Sequence, residues 1–501
     1  MAITSAVCLL FNLFTYFYNP SDWLYYPPIT EVRSISASPF SLYITTANGI
    51  FVMDKYYGNL TRTITTPDRI SIPIKLAGYD PELGILWILS GNGNSLKGFY
   101  PRTQIHFNIN LPNRVSSIGI ADQYIYFDAP NNKIIRMNKT LLNFSPADSF
   151  PVNITWYGDR NTSQIRSYLF LTPYQYIDYE FNRYAITCFY KDFNRLWIGT
   201  NGYGVFSYNL SSTRMLDHYR FGLNKLSPHI FGIDEDLWFE NTDYPRNLVR
   251  YNPTTDEWSY FNIKAGINPP YKSNFYSFKI FDLIRTEEIT GIIQDSITYW
   301  LSTDQAFYLY NPKTPGLEQV FLPGGHRLNN INTLYLNGSE LLIGTDNSLL
   351  AYDKKTKKFS QVKDPDGTFN FGVFDIVRGT DKLYFACYGG VISFQINVPR
   401  DSVNRSAWQR VVISGMSADT RINVLAYAPN TLFIGYANGI IVYNEPNGRY
   451  EFLYTQNGLL DNYIYDLYIN NDSQNSQSQY LWISSASGLS RFQYDKIYTV
   501  K

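Results

Sequence analysis

The stretch Ile186 to Asn209, ITCFYKDFNRLWIGTNGYGVFSYN, constrains the fold more than any other, because its pattern returns with variation from one end of the chain to the other. Ile186 to Tyr190 reads as an apolar first strand and Lys191 to Arg195 as a polar turn. Leu196 to Gly199 is a second strand, Thr200 to Tyr203 a glycine-containing turn, and Gly204 to Tyr208 a third strand. Asn209 to Thr213 then turns the chain into a fourth strand near Met215 to Tyr219.

Setting the second strand in register gives ten copies, beginning at Leu42, Leu86, Tyr124, Leu196, Leu237, Tyr299, Leu341, Leu383, Leu432 and Leu481. The third strand repeats as well, closing on a bulky residue and then Asn or Asp, as in Met53-Asp54, Met137-Asn138, Tyr208-Asn209, Tyr352-Asp353 and Tyr443-Asn444. Asn and Asp start turns. Most copies are 38 to 49 residues apart, and two intervals, 72 and 62 residues, carry insertions. That spacing is the length of a four-stranded propeller blade. A sheet so small cannot bury both faces alone and must stack on its neighbours. The expected fold is therefore an all-β β-propeller with about ten four-stranded blade repeats. Trp87, Trp197, Trp238, Trp300 and Trp482 on the second strands are then packing between blades.

Leu-Trp-Ile-Gly-Thr-Asn-Gly followed by a Tyr-Asn or Tyr-Asp turn resembles the two-component regulator propeller repeats of bacterial extracytoplasmic sensor regions. It is also similar to the propeller region of a surface protein of the type IX secretion system. The resemblance covers about residues 22 to 495 and is best at Leu196 to Asn209 and Leu341 to Asp353. It implies blade geometry and an extracytoplasmic setting, and it says almost nothing of ligand.

Charge balances, with 42 Lys and Arg against 42 Asp and Glu, so no nucleic acid or anionic membrane is expected as a dominant partner. Cys8, Cys188 and Cys387 form no even framework, and the latter two read as buried free thiols. His106, His218, His229 and His326 stand singly, without metal-ligand spacing. Asp364-Pro365-Asp366-Gly367 lacks the later carboxylates of a calcium loop and reads as a hairpin turn. Neither a nucleophile elbow nor a phosphate loop is present. The expectation is a protein that is not an enzyme, with no cofactor and no metal site.

Residues 1–20 contain an apolar run of about a dozen residues, the length of a signal-peptide core and too short to span a membrane. They read as a leader, placing the chain in the periplasm or on the cell surface. Asp22-Trp23-Leu24-Tyr25-Tyr26 matches fourth strands such as Glu257 to Phe261, while the last repeat leaves little room for a fourth strand before Lys501. The N-terminal strand is thus expected to close the C-terminal blade, hiding an edge that would otherwise pair with other chains. Repeats one to three occupy 21–144, residues 145–183 read as a connecting segment or cryptic blade, and repeats four to ten fill 184–501. Either two rings, the first discontinuous, or one large ring fits this order.

The turns between second and third strands present Asn48, Asn92, Asn131, Asn201, Asp346, Asn438 and Ser487 at nearly equivalent positions. They are candidates for a ring of ligand-binding amides and hydroxyls. Tyr174, Tyr176, Tyr179 and Tyr184, with Tyr271 on the second insertion, form an aromatic candidate. The function expected is a non-enzymatic extracytoplasmic binding protein or scaffold that recognises a protein or glycan of the cell envelope. The alternatives are a carbohydrate-sensing module acting with a separate signalling chain and a propeller-based polysaccharide lyase or glycosidase.

Overall fold

The computed structural model describes residues 19–128, 134–178, 181–223, 226–227, 229–233, 235–241, 246–263, 284, 287–314, 316–328, 330–398, 405–471 and 479–495. The leader and Asn131, Tyr179 and Tyr271 lie outside the described residues, as does most of the second insertion. The chain divides into two compact bodies, Leu24–Lys225 and Leu226–Lys501, the second also taking residues up to Trp23. No described helix is long and apolar enough to cross a membrane.

Every repeat expected from the sequence is a sheet. In the first body the sheets start with strands Ser34–Ala37, Ile74–Asp80 and Ser117–Ile120, and a fourth is built around Arg183–Asp192. In the second body the fifth to tenth sheets start with Ile230–Ile233, Ile289–Asp295, Ile331–Asn337, Val373–Arg378, Ile422–Ala428 and Ile464–Asn471. Each is built on an antiparallel meander, in chain order except where a strand from elsewhere joins the third and the tenth, and eight of the ten have four strands while the third and fourth have five. The defining repeat forms strands Arg183–Asp192, Arg195–Thr200, Val205–Asn209 and Arg214–Tyr219, within a few residues of the predicted bounds.

The division between bodies differs from the grouping expected at 144 and 184. The fourth sheet belongs with the first three because Val32 donates its N–H to Thr200 O at 3.0 Å and Ile29 to Leu223 O at 2.9 Å. Residues 145–183 lead from the third sheet to the fourth and contribute strands to both. Thr155–Gly158 adds a fifth strand to the third sheet beside Ser117–Ile120, and Gln175–Ile177 adds one to the fourth sheet. Between them a short helix, Asp159–Gln164, is tied to the fourth sheet: Asn161 Oδ1 accepts the Phe189 N–H and Thr162 Oγ1 donates to Thr187 O at 2.6 Å. The low-sequence-signal segment thus fills the gap between two sheets.

The cores lie between neighbouring sheets. Leu42, Phe51 and Met53 of the first sheet pack with Cys188, Trp197 and Val205 of the fourth, and Trp300 and Phe307 of the sixth with Ile343 and Tyr352 of the seventh. All five second-strand tryptophans are buried, as the repeat pattern predicts. Trp482 of the tenth sheet sits 4.9 Å from Tyr251 of the fifth. The repeat's glycine is explained by the same stacking. A Cβ on Gly344 would lie 2.6 Å from Val373 O of the next sheet, and one on Gly199 would lie 2.6 Å from Val32 Cγ1. Only a residue without a side chain admits so close an approach.

Where an Asn or Asp ends the third strand it makes an Asx turn. Asn138 Oδ1 accepts from the N–H groups of Thr140 and Leu141, and Asp353 Oδ1 from those of Lys355 and Thr356. The lysine after it then reaches an aspartate ending the first strand of an adjacent sheet. Lys139 Nζ lies 2.9 Å from Asp80, Lys354 Nζ 2.8 Å from Asp295, and Lys55 pairs with Asp192. Asp80 and Asp295 also accept from the indole N–H of Trp87 and Trp300. In the ninth sheet Glu445 stands in the lysine's place and accepts from the hydroxyls of Tyr384 and Tyr427. Elsewhere Asp364 does not start a hairpin. Its carboxylate accepts the N–H groups of Asp366, Thr368 and Phe369, turning the chain into the short 3-10 helix Thr368–Phe371.

The outer strand of the tenth sheet comes from the N-terminus, starting at Trp23. Trp23 is buried and stacks on Phe492 with ring centroids 4.1 Å apart. Trp23→Ala is expected to destabilise the second body by about 3–5 kcal/mol, the usual cost of truncating a buried Trp. Protease cleavage near Leu481 should then become faster, and unchanged resistance would argue against the strand's role. Lys139→Met leaves the buried Asp80 carboxylate unpaired and should cost about 3–5 kcal/mol, most of which Lys139→Met/Asp80→Asn regains. Chemical denaturation of the two variants checks this.

Candidate functional site

In seven of the ten sheets the first strand carries a β-branched residue after which the ladder slips by one. Ile331 pairs with Thr345 but Thr333 with Gly344, and the same shift occurs after Ile74, Ile186, Ile289, Val373, Ile422 and Ile464. The extra residue of such a bulge is unpaired in the ladder, and its side chain is re-aimed. Here several of these side chains bond to the next sheet. Asn332 Nδ2 donates to Val373 O at 3.3 Å, Asn423 Nδ2 to Ile464 O at 2.7 Å and Lys75 Nζ to Val115 O at 3.0 Å.

One residue further along, two sheets carry a carboxylate. Asp375 accepts from the Leu425 N–H at 2.7 Å, from the Ile376 N–H at 2.7 Å and from Thr333 Oγ1 at 3.1 Å, bonding to both flanking sheets. Asp466 accepts from the Leu467 N–H at 2.8 Å and from the Ile230 N–H at 2.7 Å, which connects the tenth sheet to the fifth. The first strands thus neighbour one another from the fifth sheet to the tenth, and the tenth also meets the fifth.

They surround a cavity of about 490 Å³. Asp375 and Asp466 face it together with Thr333 and Asn423, and Tyr463, Tyr465, Phe374 and Arg421 line it too. Tyr463 and Tyr465 are partly exposed, with ring centroids 5.1 Å apart, and the Arg421 guanidinium lies 4.0 Å from the centre of the Phe374 ring. Burial pushes the Asp466 carboxyl up to about 8, helped by the negative charge of Asp375 and opposed by the two N–H groups it accepts. Burial also raises Asp375, and it lowers His229 at the cavity wall to about 4, so that imidazole is neutral at pH 7. Such an arrangement offers aromatic faces, amides and one guanidinium to a ligand.

The first body has a cavity of its own, about 1100 Å³, lined by the starts of its four sheets and by the segment 158–166. Asn92 and Tyr174 line it. Of the other turn residues in this body, Asn48 is engaged by the Pro28 carbonyl at 3.4 Å, and Asn201 forms a backbone bridge to Glu31. Asp346, in the second body, accepts from Asn332 Nδ2 at 3.1 Å, Ser487 donates to Asp461 at 2.7 Å, and Asn438 is exposed. Asn48, Asn92 and Asn201 thus belong to the first body and Asp346, Asn438 and Ser487 to the second.

The tyrosine group is not one exposed platform. Tyr176 stacks on Tyr203 at 4.9 Å and lies 4.2 Å from Phe206, while Tyr184 is 4.5 Å from Tyr203 and donates to Asp178. These rings cover the face of the fourth sheet. Tyr174 lines the larger cavity and donates to Arg166 O at 3.4 Å, while Tyr176 lines a small one of about 80 Å³. The cavity carboxylates escaped notice in the sequence although a signal exists. Val373-Phe374-Asp375-Ile376 and Ile464-Tyr465-Asp466-Leu467 place Asp at the same register of two first strands, where other repeats have Gly291, Thr333 or Val424.

No family profile and no curated protein matches the sequence. Among solved structures the chain is similar to PorZ of Porphyromonas gingivalis, an essential bacterial surface component of the type IX secretion system. The identity is 11%, the match covers 94% of this chain and 87% of that one, and the TM-score is 0.54, a likeness of fold alone. The extracellular domain of BT4673 from B. thetaiotaomicron aligns at 14% identity over 95% of this chain and 71% of that one. Its TM-score of 0.35 is too low to define a shared fold.

The raised Asp466 pKa makes stability depend on pH. The native state keeps a proton that the unfolded chain releases near pH 4, so this group's contribution falls as pH rises from about 4 to about 8. Asp466→Asn, which keeps an acceptor for the Ile230 N–H, is expected to melt about 2–4 °C above the parent at pH 8.5, with the gap closing towards pH 4. Thermal scans at three pH values test this; a difference independent of pH would exclude the linkage.

Proposed function

We infer that the chain is a non-enzymatic extracytoplasmic binding protein or scaffold made of two closed propellers, a four-bladed and a six-bladed one, and that it recognises a protein or glycan of the cell envelope. The observation that carries this reading is the second body's cavity, surrounded by first strands whose last member meets its first through Asp466 and Ile230. A site of this kind, concave and presenting a few convergent polar groups beside aromatic faces, is the default place for a ligand. Tyr463 and Tyr465 can stack on a sugar ring or a peptide side chain, and Arg421, Asn332 and Asn423 can hold its polar groups.

The absence of catalysis is supported by what the carboxylates do. Asp375 and Asp466 each accept N–H groups of the first strands, a role in holding sheets together. An envelope setting is supported by the leader-like first twenty residues and by the likeness of fold to a bacterial surface component.

The test is a screen of the full chain against an array of glycans and cell-envelope peptides. Saturable binding of one class is expected, weakened about tenfold or more by Tyr463→Ala/Tyr465→Ala, as for loss of aromatic anchors. Capture of an envelope protein supports the scaffold role, and binding of short oligosaccharides alone moves the reading to carbohydrate sensing. Release of new reducing or unsaturated sugar ends from a polysaccharide would replace it with an enzyme.

A further inference from the structure

The cavity of the four-sheet body has a charge that the balanced composition conceals. Arg33, Lys75, Arg114 and Arg166 line it, against the carboxylates Glu31 and Asp159, an excess of two positive charges in a chain whose totals cancel. The four cations are distributed regularly. Arg33 immediately precedes the first strand of the first sheet, and Lys75 is the bulge residue of the second. Arg114 stands three residues ahead of the third sheet's first strand, and Arg166 lies in the segment leading to the fourth. Each sheet, in other words, brings one cation to the cavity.

Hydrogen bonds fix their spacing. The Arg33 guanidinium donates to Ile74 O at 2.6 Å, directly before Lys75, and Lys75 Nζ donates to Val115 O at 3.0 Å, directly after Arg114. Across the cavity the Tyr174 hydroxyl donates to Arg166 O at 3.4 Å. Glu31 is drawn off by Arg33, 3.4 Å away. Arg114 and Arg166 meet no carboxylate among the described residues, and Lys75 spends one of three N–H protons on Val115. The unspent donors are two whole guanidiniums and most of an ammonium. Asn92 and Ser116 add neutral donors on the same wall.

A concave surface lined by one sign of charge focuses its field and concentrates counter-ions. Guanidinium forks bond two oxygens of a carboxylate or phosphate at once, which gives orientation as well as attraction. The volume, about 1100 Å³, takes more than one such group with its water. The geometry points to a binding site for a small, multiply charged oxyanion, a ligand carrying two or more phosphate or carboxylate groups, held by Arg114 and Arg166 with Lys75 and Arg33 behind them. It lies in a different body from the aromatic cavity, so its failure leaves the reading of that cavity standing.

Isothermal titration of the full chain with tripolyphosphate and with citrate tests this, at about 50 mM and about 300 mM salt, where screening differs strongly. Saturable binding that weakens with salt is expected. Arg114→Gln and Arg166→Gln should each lower affinity about fivefold to thirtyfold, the worth of one charge-assisted pair. Both side chains are exposed, so neither variant should shift the melting temperature. Asp159→Asn, which removes a negative charge from the wall, should strengthen binding about twofold to fivefold, an effect that damage to the fold could not produce. Tighter tripolyphosphate assigns the site to phosphates, tighter citrate to carboxylates. Failure of both anions to saturate at about 1 mM, or a double Arg114→Gln/Arg166→Gln variant that binds like the parent, overturns the proposal.

Discussion

A four-stranded sheet that is apolar on both faces has no stable existence by itself, and this requirement for a neighbour on each side organises the chain. The second strands show it most plainly. Leu86, Trp87, Ile88 and Leu89 are all buried, so residues of both alternating faces are withdrawn from water. The consequence reaches down to single residues: the glycine of the repeat is demanded by the carbonyl or side chain arriving from the adjacent sheet, not by any turn of its own strand. Between sheets the apolar contacts are non-directional, so other interactions must set angle and register. Lys55, Lys139 and Lys354, each following an Asx-turn residue and paired with an aspartate of an adjacent sheet, are among them, and the burial of Lys139 beside Asp80 makes that pair costly to break.

The same requirement places the cavities. First strands stand where sheets come closest, and the bulge that begins most of them relieves the crowding by taking one residue out of the ladder. That residue cannot satisfy itself within its own sheet, and in Asn332, Asn423 and Lys75 it reaches a carbonyl of the next. A position created by packing thereby becomes the position at which polar groups face an enclosed space.

The architecture could be read from the sequence because period and turn chemistry are local. The spacing of Leu196-Trp197 to Tyr208-Asn209 fixes strand, turn, strand without knowledge of what packs above, and Trp23, matched only by likeness to other fourth strands, indeed joins the tenth sheet. Where one body ends and the next begins was hidden, because residues 145–183 carry no repeat and act through tertiary bonds such as Asn161 to Phe189. The sites were hidden for a related reason. Asn48 has the residue type of a binding ring but donates its side-chain amide to the Pro28 carbonyl, and Tyr176 stacks on Tyr203, neither of which a linear pattern reveals. Asp375 and Asp466 look like ordinary strand residues until the bulge turns them towards the axis of their sheets.

The two bodies put different ionisable side chains at the starts of their first strands. In the four-sheet body the bulge and the residues just ahead of the strands supply Arg33, Lys75 and Arg114, while in the six-sheet body the next register position supplies Asp375 and Asp466. Each choice suits its surroundings. A lysine or arginine has the reach to bond a neighbouring carbonyl and still present its charge to the cavity. An aspartate is too short for that and instead accepts N–H groups at the strand itself, at the cost of a pKa lifted by burial. Substitutions at these few first-strand positions can alter what each cavity attracts while the second-strand pattern, and with it the fold, stays intact. A net charge of zero, the balance of 42 basic against 42 acidic residues, thus describes neither site.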